Sequence, residues 1–258
     1  MKRIGFIIGR QLNEIRWLHP DRITGGGSGL MRFGWVADEI NRVPDRDLFY
    51  EMYRPWHRYD LLVFMKAMGP PCMRLIARGH RRGVPAVFDA NVNYYEAEGR
   101  FYFEGMRPSA EQTRDAVAIT KAVDAVIADS TYLARMCRRY HQRVEWISDN
   151  VNLALVPDRL GPAWRSGEPL RLIWSGQAIK LFELLAVEEV LRRYRDHVRL
   201  VLVTNSLSAM NAWYGDTRAR LERLLRDVPH DIVPFESLAQ LWRIYASGGV
   251  CFAPRQMD

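Results

Sequence analysis

The sequence predicts an α/β protein with two Rossmann-like, doubly wound parallel sheets in tandem. Short apolar runs alternate with longer amphipathic runs along the chain, as they do in successive β-α-β units. The alternation breaks once, over residues 155–169, where three prolines and two glycines give the composition of a linker. We therefore predict a first domain over residues 1–154, a linker over 155–169 and a second domain over 170–258.

The first domain is predicted to contain six strands and four helices. Its third strand is almost wholly apolar, as strands buried on both faces are. Pro70 and Pro71 are tolerated in a first helical turn, and Ser109 and Ser130 are suited to cap helices. The predicted strands are Arg3–Gly9, Leu48–Tyr53, Asp60–Lys66, Ala86–Ala90, Asp124–Asp129 and Val144–Ile147. The predicted helices cover residues 30–42, 70–82, 110–122 and 131–140.

The second domain repeats this pattern after the linker. The predicted strands are Leu170–Ser175, Val198–Thr204, Asp231–Phe235 and Val250–Ala253, and the predicted helices are Leu181–Tyr194, Thr217–Asp227 and Leu238–Ala246. Ligands of open α/β sheets lie beyond the carboxyl ends of the strands. The residues directly after each predicted strand are therefore the candidates for function.

The charge of the chain is basic, with a formal net charge of +7. Most of the excess lies before the linker, and residues 78–82 form its main cluster. A composition that favours arginine accounts for scattered charge of this kind. The alternative is contact with an anionic membrane face, a phosphorylated acceptor or nucleic acid.

The sequence gives no sign of a membrane span or of secretion. No apolar run approaches the ~20 residues that cross a bilayer. The first apolar stretch predicts a strand and not a signal peptide, because no small-residue cleavage site follows it. The three cysteines lie far apart without metal-like spacing, which favours reduced thiols in a cytoplasmic protein.

A glycine loop lies between the first predicted strand and the first predicted helix. It contains Gly25, Gly26, Gly27 and Ser28. Glycines let the backbone approach a ligand closely, and a helix N-terminus favours anions. A surface loop without a ligand is the alternative, because the spacing matches neither a dinucleotide-binding fingerprint nor a P-loop.

Polar and aromatic side chains follow the fourth predicted strand. They are Asp89, Asn91, Asn93 and Tyr94. Carboxylates and amides hydrogen-bond sugar hydroxyls, aromatic faces pack on sugar C–H surfaces, and burying such groups without partners is costly. A solvated, capped loop is the alternative. The fifth and sixth strands are followed by Ser130 and Asn150, for which a helix cap and a tight turn are the alternatives.

The first strand of the second domain leads into a glycine turn. This turn contains Ser175, Gly176 and Gln177, and Lys180 stands at the mouth of the following helix. Backbone N–H groups, the helix dipole and an ammonium group suit a pyrophosphate. A solvated lysine is the alternative. Thr204 and Asn205 end the next strand, where a hydroxyl and an amide suit a base or a ribose.

In their order along the chain, these features resemble those of retaining glycosyltransferases of the GT-B fold, in the family 4-like group. The resemblance rests on the glycine loop, on Asp129–Ser130, on the segment from Ile147 to Asn152, on the entry from Trp174 to Lys180, and on the closing segment from Val250 to Arg255. It covers nearly the whole chain.

The resemblance implies a hexosyltransferase that moves a sugar from a nucleotide-sugar donor to a glycan or lipid-linked acceptor in polysaccharide or cell-envelope biosynthesis. It implies that the donor is a co-substrate and that no cofactor or metal is needed. Lys180 and Asp89 are the expected catalytic residues. The expected donor residues are Gly25, Gly26, Gly27, Ser28, Ser175, Gly176, Gln177, Lys180, Thr204, Asn205 and Arg255, and the expected acceptor residues are Asn91, Asn93, Tyr94, Ser130 and Asn150.

The chain departs from the family pattern in three ways. Gln177 stands where the family has an arginine for the donor phosphates, and Asp89–Asn91 stands where the family often has a histidine after the fourth strand. No Glu-x7-Glu motif follows Arg255. We therefore expect an incomplete second domain, and a binding or scaffold protein derived from the family is the main alternative.

Two further functions are weighed against the transferase. A dinucleotide-dependent Rossmann enzyme lacks support, because no G-x-G-x-x-G follows a predicted strand. Nucleic-acid binding would rest on charge alone, so no nucleic-acid partner is expected. Contact with the cytoplasmic face of an anionic membrane stays open.

Overall fold

The computed structural model describes residues 1–9, 27–96, 101–158, 161, 165 and 167–254, in two compact units. The first unit comprises Met1–Ala97 and Pro108–Asn152, and the second comprises Glu98–Arg107 and Leu153–Asp258. The change of unit after residue 152 lies near the sequence-based boundary at residue 154. Residues 98–107 differ from the prediction, because they belong to the second unit.

The first unit is built on a parallel sheet of six strands, in the order β2-β1-β3-β4-β5-β6. The strands are β1 (Lys2–Ile8), β2 (Leu48–Met52), β3 (Leu61–Met65), β4 (Ala86–Ala90), β5 (Ala125–Ala128) and β6 (Val144–Trp146). The helices are α1 (Trp35–Arg42), α2 (Pro70–His80), α3 (Ala110–Ala122) and α4 (Thr131–Arg138). A π-helical turn, Leu30–Gly34, precedes α1, where the sequence predicted a continuous helix.

The connection between β2 and β3 crosses over β1 without a helix. Tyr59 of this crossover is buried, and a Cβ atom on Gly5 of β1 would lie 2.8 Å from its ring. Glycine at position 5 therefore lets the tyrosine ring lie directly on the strand. Backbone hydrogen bonds fix both ends of the crossover to β1, from Tyr53 N–H to the Phe6 carbonyl and from Asp60 N–H to the Arg3 carbonyl.

Serine caps define the starts of α3 and α4, as predicted. The Ser109 hydroxyl accepts from the backbone N–H of Gln112, whose side chain accepts from Ser109 N–H to complete a capping box. The Ser130 hydroxyl accepts from Leu133 N–H at 3.2 Å.

The second unit is built on a parallel sheet of four strands, in the order β10-β7-β8-β9. The strands are β7 (Leu170–Gly176), β8 (Val198–Thr204), β9 (His230–Pro234) and β10 (Val250–Cys251), and the helices are α5 (Glu188–Arg193), α6 (Thr217–Asp227) and α7 (Leu238–Ala246). The predicted α/β class with two parallel sheets is confirmed. Where the sequence predicted one helix over Leu181–Tyr194, a 3₁₀ segment, Ala178–Val187, leads into α5.

Residues 101–107 add an aromatic layer to the second unit. The Tyr102 ring stacks on Phe182 with centroids 4.1 Å apart, and Phe103 forms an antiparallel bridge with Trp213. The backbone N–H of Tyr214 also donates to the Tyr102 carbonyl at 2.7 Å. Stacked aromatic rings bury a large apolar area, which explains why this segment belongs to the second unit.

Two features of the described residues bear on the class of protein. None of the helices in these ranges combines the length and apolar character that a membrane crossing needs. Within the same ranges, no three His, Cys, Asp or Glu side chains gather closely enough to hold a metal ion. Cys72 and Cys137 are buried, Cys251 is exposed, and all three are free thiols.

Candidate functional site

The carboxyl ends of β7 and β8 form a connected polar edge in the second unit. The Thr204 hydroxyl donates to the Gly176 carbonyl at 2.7 Å, and the Asn205 side-chain oxygen accepts from Ala178 N–H at 2.7 Å. Thr204 is buried, so its hydroxyl is occupied by the fold. The structure therefore brings together the glycine turn and the two residues that end the next strand.

Gly176 has a steric reason to be glycine. A Cβ atom at this position would lie 2.9 Å from the indole of Trp174, which is almost fully buried. The turn after β7 can therefore pass close to the indole, and its backbone stays uncovered by a side chain. Gln177 follows as an exposed residue and makes no side-chain capping hydrogen bond.

Lys180 lies in the first turn of the 3₁₀ segment and is exposed. Its backbone N–H donates to the Gln177 carbonyl at 2.8 Å, which closes the turn. Among the described residues, no carboxylate pairs with its ammonium group. A positive side chain beside the start of a helical segment is suited to a diphosphate.

Ser175 is tied to the last helix of the second unit. Its hydroxyl hydrogen-bonds the Tyr245 hydroxyl of α7. Burial raises the pKa of Tyr245, and the hydrogen bond with Ser175 opposes that rise. This hydrogen bond fixes the orientation of the Ser175 side chain. Contact between Ser175 and the nucleotide-sugar donor stays a prediction.

A buried ion pair lies at the carboxyl edge of the first sheet. The Arg32 Nε donates to both carboxylate oxygens of Asp89, at 2.8 and 2.7 Å, and each side chain is only 4% exposed. The Arg32 Nη1 also donates to the Ile147 carbonyl at 3.1 Å and to Asp149 at 3.0 Å. One arginine of the π-helical turn thus joins the ends of β4 and β6.

The electrostatics of this pair reflect its burial. Burial raises the pKa of Asp89, and the guanidinium of Arg32 opposes that rise. Burial acts to lower the pKa of Arg32, but its hydrogen bonds with Asp89 and Asp149 raise it overall. Both carboxylate oxygens of Asp89 accept hydrogen bonds from Arg32. Asp89 is therefore part of an ion pair and is not available as a general base.

Asn91 lies two residues beyond Asp89 and has no hydrogen-bond partner within the described part of the chain. Both polar atoms of its side chain, Nδ2 and Oδ1, are buried. A buried amide without partners costs about 1–3 kcal/mol. This edge therefore carries two buried hydrogen-bonding atoms that no described residue uses.

Lys66 follows β3 and occupies a left-handed backbone conformation, with φ of 55°. Its ammonium donates to the Ser28 hydroxyl at 3.1 Å. Residues held in this conformation cluster at functional sites. Lys66 also lines a cavity of about 740 Å³ at this edge of the sheet.

This cavity has mixed chemistry. Tyr94, Glu111 and Asp115 line it together with Lys66 and the start of α2. Burial raises the pKa of Tyr94. One ammonium, two carboxylates and an aromatic ring suit a polar ligand with hydroxyl groups.

The other predicted residues occupy defined places. The Asn93 side chain accepts from the backbone N–H groups of Tyr95 and Glu96, as in an Asx turn. Asn150 is exposed and donates to the Met31 carbonyl at 3.2 Å. The Gly27 carbonyl accepts from the N–H groups of residues 30 and 31. Three predicted donor residues, Gly25, Gly26 and Arg255, lie outside the described residues.

Sequence reasoning missed two residues of the first unit. Lys66 carried a usable signal, because it is one of only four lysines in an arginine-rich chain and is the last residue of a predicted strand. Arg32 carried a weaker one, as a charged residue inside the apolar segment 30–36. Its link to Asp89 depends on tertiary structure, which local patterns do not show.

Comparisons with known proteins agree with this architecture. No protein-family model matches the chain, and no curated protein matches it by sequence. The structure of the Anabaena protein HepE in complex with UDP and glucose superposes with a TM-score of 0.55 and 11% identity, over 93% of this chain and 71% of its own. The lipopolysaccharide outer core galactosyltransferase WaaB, in its apo form, superposes with a TM-score of 0.53 and 11% identity, over 94% of this chain and 70% of its own. The chain therefore has the GT-B fold.

Proposed function

We propose that this protein is a glycosyltransferase that uses a nucleotide-sugar donor, with the donor diphosphate at the β7–β8 edge of the second unit. The observation that carries the proposal is the turn at Gly176, joined to Asn205 and followed by the exposed Lys180. On a GT-B scaffold, this edge presents an exposed glycine turn and, among the described residues of that turn, the cation of Lys180. HepE is a GT-B neighbour that was crystallised with UDP, which favours a uridine nucleotide as the first donor to test.

The chemistry that this site would support is sugar transfer. The bond between the anomeric carbon and the diphosphate breaks, the acceptor hydroxyl oxygen forms the new bond to that carbon, and its proton passes to the leaving diphosphate. Negative charge develops on the leaving diphosphate. Lys180 and the dipole at the start of the 3₁₀ segment would stabilise that charge, and fixed dipoles of this kind cost no reorganisation during the reaction.

We place the acceptor at the carboxyl edge of the first sheet. Asn91 supplies an amide that no described residue hydrogen-bonds, and Lys66 and Tyr94 line the cavity at this edge of the sheet. Asp89 was predicted to be catalytic, and in this proposal it acts through Arg32 as a positioning residue. Holding an acceptor in reactive geometry contributes several kcal/mol to the barrier reduction, on the order of 7 kcal/mol in favourable cases.

The finer assignments follow from the family resemblance. They are a hexosyl donor, retention of configuration, an acceptor that is a glycan or a lipid-linked sugar, and a place in polysaccharide or cell-envelope biosynthesis. A cytoplasmic location with contact at an anionic membrane face belongs to the same proposal. The scheme uses the nucleotide-sugar as co-substrate and requires neither metal nor other cofactor.

The test is turnover of UDP- and GDP-sugars, followed by release of the nucleoside diphosphate. Lys180→Ala is expected to lower the rate at least about tenfold, because it removes a charge that stabilises the leaving group. Lys121→Ala is the matched control, since Lys121 is an exposed lysine on α3. An unchanged rate in Lys180→Ala, or an equal loss in both variants, would remove Lys180 from the mechanism.

A binding or scaffold protein derived from the same family is the second candidate, and Gln177 favours it. The side chain at this position is a neutral amide, where the family uses an arginine toward the donor phosphates. Calorimetry with UDP- and GDP-sugars separates the candidates. Heat with turnover supports the transferase, whereas no heat with any donor, or heat without turnover, supports the binding or scaffold protein.

A further inference from the structure

A second cavity lies in the first unit, between the β2–β3 crossover and the last turn of α2. It has a volume of about 620 Å³. Arg58 of the crossover lines it from one side, and Arg78 and Arg82 line it from the other. Three guanidinium-bearing side chains from two separate segments therefore border one cavity.

Among the described residues, no carboxylate pairs with these arginines. All three are exposed, and none forms an ion pair or a side-chain hydrogen bond with a described residue. The cavity contains a single carboxylate, Asp60, which already accepts from the backbone N–H of Arg3 at 2.8 Å. The charge that borders the cavity is therefore strongly positive.

The surrounding surface increases this positive charge. Arg74 and Arg78 are spaced four residues apart on the same helical face, and α2 contains no acidic residue. Like charges at this spacing destabilise a helix by about 0.2–0.5 kcal/mol per pair. The helix dipole stabilises a cation near the C-terminus of α2, such as Arg78. It does not stabilise Arg58, which lies on the crossover. An external anion would offset the repulsion among all these side chains.

The cavity is separate from the candidate site. Its lining includes Leu62 at the start of β3 and Val84 just before β4, which places it at the amino ends of these strands. Asp89, Asn91 and Lys66 lie at the carboxyl ends of the same strands. The donor and acceptor assignments above therefore use none of the residues of this cavity.

We propose that this cavity binds a phosphate-bearing anion, held by Arg58, Arg78 and Arg82. Guanidinium groups match phosphate geometry with paired, charge-assisted hydrogen bonds. The imidazole of His57 and the phenol of Tyr53 also border the space. The phosphate is carried either by a small soluble anion or by the headgroup of an anionic lipid.

Trp56 distinguishes the two possible sources of the phosphate, a soluble anion and a lipid headgroup. It is 63% exposed and lies two residues before Arg58 on the crossover. Tryptophan favours the boundary between lipid and water, where one part of the ring is apolar and another is polar. A lipid headgroup would use Trp56 in addition to the arginines, whereas a soluble anion would use the arginines alone.

The experiment measures two kinds of binding by the full chain. One arm titrates inorganic pyrophosphate by calorimetry. The other measures co-sedimentation with vesicles of phosphatidylcholine alone, and of phosphatidylcholine and phosphatidylglycerol in equal amounts. The test variant is the triple substitution Arg58→Gln, Arg78→Gln and Arg82→Gln. The control is Arg114→Gln, Arg193→Gln and Arg223→Gln, which removes the same charge from exposed positions elsewhere.

We expect the wild type to bind in at least one arm and the test variant to bind at least about tenfold more weakly, because charge-assisted hydrogen bonds are lost. The control should lose less than about threefold, since none of its arginines lines the cavity and exposed charges are screened by salt. Binding in the pyrophosphate arm identifies a soluble anion. Binding to phosphatidylglycerol vesicles alone, weakened by Trp56→Ala, identifies a headgroup.

Two results would overturn the proposal. One is a wild type that binds in neither arm, and the other is a test variant that binds as tightly as the control. Circular dichroism confirms that the variants are folded, and the arginines are exposed, so folding should be retained. Both triple variants should keep the UDP affinity of the wild type, so the outcome is independent of the proposed transferase function.

Discussion

Asp89→Asn is the substitution that tests most sharply how the first unit is held together. The change keeps the shape of the side chain and removes its charge, so the Arg32 guanidinium stays buried without its main partner. Breaking a buried ion pair costs about 3–5 kcal/mol. Two acceptors of Arg32 remain, the Ile147 carbonyl and the carboxylate of Asp149, which is 45% exposed. We therefore expect a loss near the lower limit, about 3 kcal/mol in the free energy of unfolding.

Native-state hydrogen exchange, measured by mass spectrometry on peptides from β4 and β5, reports the opening of the first unit alone. A loss of about 3 kcal/mol corresponds to a reduction in protection of roughly a hundredfold. Asp149→Asn is the control, and we expect at most about 1 kcal/mol because the residue is partly exposed. Equal losses in the two variants, or a loss below about 1 kcal/mol for Asp89→Asn, would refute the assignment of this pair as a structural clamp.

Two further predictions concern packing and pH. Gly5→Ala should lower the stability of the first unit by about 1–3 kcal/mol, because its Cβ atom would lie 2.8 Å from the Tyr59 ring; thermal unfolding checks this, and adding Tyr59→Leu should restore part of the loss. Burial acts to raise the pKa of Asp124, but hydrogen bonds from Ala86 N–H and His80 lower it overall. The stability from Asp124 should therefore be present above about pH 4 and be lost as the pH falls through its folded pKa. Melting temperatures measured in acid should fall less steeply in Asp124→Asn, and an unchanged slope would contradict the argument.

The sequence was sufficient for the strands and for most helices because their periodicities are local. The apolar run of β3 and the serine caps of α3 and α4 are contained within a few residues each. The membership of residues 98–107 in the second unit was missed, because Tyr102 and Phe103 lie in an irregular segment without periodicity. Their partners, Phe182 and Trp213, are distant in sequence and are joined to them only by folding.

In the candidate site too, local features could be predicted from the sequence and tertiary contacts could not. The glycine turn with Lys180 was recognisable, because a turn and a helix start are local features. The pairing of Asp89 with Arg32 was not recognisable, because the two residues are 57 positions apart in the sequence. That the buried amide of Asn91 has no partner among the described residues likewise depends on what surrounds it in the folded chain.

The central claim is that a nucleoside diphosphate binds at the β7–β8 edge of the second unit. Hydrogen–deuterium exchange with and without UDP tests it most directly, because the method locates the ligand without requiring turnover. We predict that UDP slows exchange in peptides covering residues 174–181 and 203–207, and that Lys180→Ala weakens this protection. Saturating UDP that leaves both peptides unchanged, or that protects other segments only, would contradict the account.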